Sequence, residues 1–237
     1  MIKQLGGSDA TEGAIRMALD WFSDNQEPDG RWEMAKHGSR KEYNTAGAGL
    51  AMLCYYGWGI KHADNTRHAR ALGKALNWML KQQKADGDLR GNRGGRMYCH
   101  GIAAIALCEA YGLTKDPKLK APAELAIKFI LNAQHEAGGW RYEPKQAGDL
   151  SVTGWQYMAL HSARMADLPV PEEAFVKTRK FLDAVSGGRV GGLYHQHKTH
   201  GALVRICLIM DFNMHVKFVT KKFVRAVLRI IYDCYRT

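Results

Sequence analysis

The sequence predicts an all-α array of repeated helix pairs, and three observations carry that prediction. A turn signature recurs at Gln26…Asp29-Gly30…Trp32, Gln83…Asp86-Gly87 and Gln134…Gly138-Gly139-Trp140, the glutamine always four residues before the turn's first glycine. The aromatics near the ends of the preceding segments are evenly spaced: 57 residues from Trp21 to Trp78, 51 from Trp78 to Phe129 and 52 from Phe129 to Phe181. Within each interval a segment with one apolar face alternates with one that is apolar nearly all round. Such a period marks stacked units that bury a shared core.

The first unit is expected to open near Thr11, as N-cap, with Glu12 in the first turn. Ile15, Ala18, Leu19 and Phe22 recur at helical spacing, with Arg16, Asp20 and Asp24 opposite. Pro28-Asp29-Gly30 supplies turn chemistry. Thr45 then opens a helix apolar on every side, which Gly57 closes. The second unit pairs an amphipathic helix over 66–83, with Ala71, Ala75, Trp78 and Met79 inward, with an apolar one over 100–112. The third begins at Pro117 or Pro122, keeps Lys120, Glu124 and Lys128 on its wet face, and has its apolar helix from Thr153 to about Met165. The fourth follows Pro171, carrying Phe175, Phe181 and Leu182. Its turn region lacks the Gln and the Trp, and its apolar helix starts at Thr199.

Regularity then stops, so residues 1–211 are taken as the repeat domain and 212–237 as a basic amphipathic tail or cap. Along 217–231 apolar residues such as Phe218, Phe223 and Val227 oppose Lys221, Lys222, Arg225 and Arg229. Three readings stand side by side: peripheral contact with an anionic membrane, a cap on the open end of the array, and non-native sequence.

The formal charge of +11 is concentrated in that tail and dilute elsewhere, which argues against nucleic acid as a partner. Five cysteines form no CxxC pair, and Cys54, Cys108 and Cys207 lie in apolar runs, which suits a reducing, cytoplasmic setting. Neither a leader nor a spanning run of apolar residues is expected.

The turns Gln26–Trp32, Gln83–Gly87 and Gln134–Trp140, with the helix starts TAGAGLAML, HGIAAIALCEAYG and SVTGWQYMAL, resemble the squalene–hopene cyclase and protein prenyltransferase superfamily, and within it the bacterial repeat proteins of undefined role. The resemblance covers about residues 10–205. It implies an α/α toroid with QW-like turns, in which inner helices surround a cavity. About four helix pairs make a partial toroid, completed by the tail, by a protein partner, or not at all.

The resemblance also locates candidate chemistry. Cyclases of the superfamily carry DxDD before an inner helix. Here the stretch is Asp149-Leu150-Ser151-Val152-Thr153, which keeps the first acid and puts serine and valine at the acid-bearing pair. Asp149 is therefore the one catalytic candidate, set against the plainer role of holding backbone N–H groups at a helix start. Tyr98, His100 and Trp155, at inner-helix starts, are the substrate-binding candidates for an apolar, isoprenoid-like ligand. Tyr157, Tyr55, Tyr56 and Trp58 are aromatics that a packed core would equally use. Cys99-His100 and the group His195, His197 and His200 match no defensible metal-site spacing, so neither metal nor cofactor is expected. Two functions are carried forward: a toroid domain that binds an apolar ligand or a protein partner, and an active terpenoid-processing enzyme.

Overall fold

The structure, a computed structural model, describes residues 8–39, 41–91 and 96–186 of the 237. Among the described residues there are seven α-helices and no strand: α1 Asp9–Asp24, α2 Asn44–Gly57, α3 Arg67–Gln82, α4 Met97–Thr114, α5 Pro117–Ala133, α6 Leu150–Met165 and α7 Glu172–Ser186. The chain is all-α. The fourth apolar helix expected from Thr199, His195, His197 and His200, Cys207 and the tail over 212–237 lie outside the described residues.

The even-numbered helices are the apolar ones and form a row, α4 packing against both α2 and α6. That position explains α4, whose residues are buried from Ile102 to Ala110 whichever way they point. Against the row lie the amphipathic helices: α3 on α2, α5 on α4 and α6, α7 on α6, with α1 packed on α3 and α2. No described helix is long and apolar enough to cross a membrane. Cys54, Cys99 and Cys108 are free and buried.

Several helix starts differ from expectation: α4 begins at Met97, three residues before 100, and α3 at Arg67, with Thr66 as its N-cap. The N-cap of α1 is Ser8, not Thr11; the two side chains form a capping box, so Thr11 sits inside the first turn. α2 begins at Asn44, one residue before Thr45. α6 begins at Leu150, because Asp149 caps it, and Thr153 is already helical. α5 begins at Pro117, with Pro122 within it.

The three Gln turns are built alike. Glu27, Lys84 and His135 donate their amides to the carbonyls of Arg31, Asp88 and Gly139 at 2.9–3.0 Å, and Gly30, Gly87 and Gly138 donate to the carbonyls of Glu27, Lys84 and His135 at 2.9 Å. Each glutamine then ties its turn to the next amphipathic helix: Gln26 Nε2 donates to Ala71 O (2.8 Å), Gln83 Nε2 to Pro122 O (2.8 Å) and Gln134 Nε2 to Ala174 O (3.1 Å). The tryptophans tie it backward, Trp32 Nε1 donating to Phe22 O (2.9 Å) and Trp140 Nε1 to Ile130 O (2.8 Å).

Gln134 is buried and also reaches Gly138 O and Thr178 Oγ1, whereas Gln26 is half-buried. Gln134→Ala is therefore expected to cost roughly 2–3 kcal/mol, and Gln26→Ala about half as much, because buried acceptors left unpaired keep their desolvation cost. Urea denaturation of the two variants checks the order.

Candidate functional site

The N-terminal ends of α2, α4 and α6 stand together and carry the predicted residues. Ala46 of α2 and Cys99 and Ile102 of α4 form a small buried cluster, on which the half-buried Tyr43, Leu50 and Trp155 pack. Trp155 thus closes an apolar face shared by three consecutive helices. Burial pushes the Cys99 thiol up, so it behaves here as an apolar group.

Tyr98, next to Cys99 in α4, is half-buried against the main core, with its ring 6.1 Å from that of Tyr142. The Tyr98 hydroxyl is hydrogen-bonded to Ser151 Oγ, and Ser151 Oγ donates to Asp149 Oδ1 at 2.6 Å. The result is a continuous chain, Tyr98–Ser151–Asp149, that links the start of α4 to a carboxylate. Asp149 Oδ1 also accepts from Val152 N at 3.0 Å, which makes Asp149 the N-cap of α6. Its carboxylate thus serves a helix end and a hydroxyl relay together.

His100 points elsewhere. It is fully buried; its Nδ1 accepts from Leu89 N and its Nε2 lies against Ala126 O, both at 3.0 Å. Because Leu89 N can only donate, the ring is neutral with its proton on Nε2. Burial pushes its pKa down to about 4. Both nitrogens are committed to tying the second turn to α5. Thr153 does similar work in the third unit, accepting from Trp140 N at 3.0 Å and donating to Trp140 O. Leu89 stands where the other turns have tryptophan, so the second turn lacks the backward indole tie, and His100 instead holds it forward to α5.

The remaining aromatic candidates divide between core and edge. Tyr157 is buried against His161 and Phe175, and Tyr55 is buried with its hydroxyl near Ser23 (2.8 Å). Trp58 is half-buried at the edge of the main core. Among the described residues no group of three His, Cys, Asp or Glu stands close enough to hold a metal ion. A polar cleft of about 450 Å³ opens beside Gln134, His135, Lys145 and Lys177. Its lysines are engaged, Lys145 with Gln134 O (3.1 Å) and Lys177 with Glu173 (2.7 Å), so the cleft belongs to the seam of the third turn.

One acid was not singled out by the sequence. Glu109 lies within the apolar run of α4, buried and hydrogen-bonded to Ser162 of α6, and burial pushes its pKa up to about 7. An acidic residue inside a helix apolar all round was a readable signal.

No protein-family model matches the chain. Over 124 residues, 52% of this chain, it is 28% identical to the cycloartenol synthase of Dictyostelium discoideum, and the match takes in 16% of that protein's length. The similarity supports a distant terpenoid cyclase-like relationship.

Proposed function

We propose that residues 1–211 are a partial α/α toroid of terpenoid cyclase type, with QW-like turns, and that the face at the N-terminal ends of α2, α4 and α6 binds an apolar, isoprenoid-like ligand. The observation that carries this reading is Trp155, half-buried on the Ala46–Cys99–Ile102 cluster of neighbouring helices. The distant similarity to cycloartenol synthase supplies the ligand class. A flat indole over aliphatic and thiol groups offers an isoprenoid chain dispersion contacts, and burial of that chain supplies the driving force.

Titration with farnesol, an uncharged isoprenoid, tests the reading. Saturable quenching of tryptophan fluorescence is expected, and Trp155→Ala should weaken binding about tenfold while leaving the helical signal intact, equivalent to about 1.4 kcal/mol. Equal affinity in the variant would count against the site.

The Tyr98–Ser151–Asp149 chain favours a second reading, an active terpenoid-processing enzyme in which it moves a proton to or from the bound ligand. Turnover abolished by Ser151→Ala, with farnesol binding retained, would put this reading first. Asp149→Ala alone is less diagnostic, since losing an N-cap costs about 1 kcal/mol of stability by itself.

A further inference from the structure

Each Gln turn closes on the amphipathic helix that follows it, in one register. Counting back from Trp78, Phe129 and Phe181, the glutamine donates to the carbonyl seven residues earlier, on Ala71, Pro122 and Ala174. The turn glycine presses on the carbonyl four residues earlier, on Lys74, Leu125 and Lys177. With the turns seated, the three aromatics are 8%, 9% and 6% exposed, and Ala75, Ala126 and Thr178, three residues before them, are fully buried.

α1 repeats this column as Ala14, Met17, Ala18 and Trp21. Among the described residues no turn is seated on it. Trp21 is 45% exposed and Met17 68%, although Trp21 occupies the place where the other three helices bury an aromatic. Among the described residues its ring meets the rings of Phe22 and His37, edge-on. A large apolar side chain left open where three equivalents are covered marks an interaction face.

We propose that α1 is a docking face for the Gln–Gly turn of a partner that carries a helix-pair unit of the same kind. Recognition needs a glutamine amide to reach the Ala14 carbonyl and, four residues on, a glycine with left-handed backbone against the Met17 carbonyl. A second copy does not meet this requirement. Its three Gln turns are already seated on α3, α5 and α7, and at the fourth position it has Ser186 and Val190 instead of Gln and Gly. The ligand face does not involve α1, so this inference and the proposed function can fail independently.

The test is a chain in which a second copy of residues 116–171, a complete unit with Gln134 and Gly138, precedes Ser8. Acrylamide quenching of Trp21, taken as the difference between each chain and its Trp21→Phe variant, is expected to fall roughly fivefold, following the fall in exposure from 45% to about 8% in the occupied equivalent. Gln134→Ala with Gly138→Val in the added copy should restore the quenching. The inference is overturned if the added unit brings no helical signal, or brings it while Trp21 stays as accessible as before. It is also overturned if the unmodified chain forms a dimer that Trp21→Glu abolishes, for a second copy would then occupy the face.

Discussion

Gly138→Ala is expected to lower stability by roughly 3–5 kcal/mol. Two costs combine. Gly138 has φ +94°, a region that residues with a Cβ adopt only under strain. A Cβ there would also fall inside the contact distance of the Lys177 carbonyl, which is backbone of α7 and cannot rotate away. The turn would have to leave α7, breaking the Gln134 bonds to Ala174 and Thr178 with it. Gly38 separates the two costs: it has φ +89° but nothing near its Cβ position, so Gly38→Ala should lose only the strain, about 1–2 kcal/mol. Gly13 on α1 has an ordinary backbone and open space, and Gly13→Ala should stabilise by about 0.5–1 kcal/mol. Urea denaturation of the three variants gives the order; equal effects at Gly138 and Gly38 would mean that the turn does not bear on α7.

The second large effect depends on pH. The folded chain holds a proton on Glu109 up to about pH 7, whereas the unfolded chain releases it near 4.5. Its contribution is fully present below 4.5, falls as pH rises, and is gone above 7, a change of about 3 kcal/mol. His100 slopes the other way. Its folded pKa, about 4, is below the unfolded 6.5, so its contribution is present above 6.5 and lost as pH falls to 4. The two slopes overlap and oppose each other, so the parent chain shows little of either. Glu109→Gln should uncover the His100 slope, and its stability relative to the parent should rise by about 3 kcal/mol between pH 4.5 and 7. Denaturation series at pH 4.5, 5.5, 7 and 8 check this; parallel curves would mean that Glu109 does not hold its proton.

What was legible in the sequence was whatever rests on local spacing. The interval from Gln134 to Gly138 is set by a single turn, and the turn pattern therefore located the seams between α1, α3, α5 and α7 before any contact was known. Residues whose work lies at long range were harder to read. His100 looked like a side chain at a helix start facing a ligand, but its partners Leu89 and Ala126 come from a turn and from another helix. Thr153 looked like the start of a helix; α6 begins at Leu150, capped by Asp149, and Thr153 holds Trp140. Ser151 counted only as a missing acid, since the bond to Tyr98 that gives it a role spans 53 positions. Trp155 falls on Cys99 and Ile102 because α4 and α6 are neighbours in the row, a proximity that the repeat itself predicts.

Ligand binding at Trp155 is tested most directly by a native mass spectrum of the chain purified from its own host, beside the same spectrum of Trp155→Ala. An apolar adduct of isoprenoid mass is expected on the parent chain and is lost from the variant. A parent chain without an adduct, or an adduct retained equally by the variant, would contradict binding at Trp155.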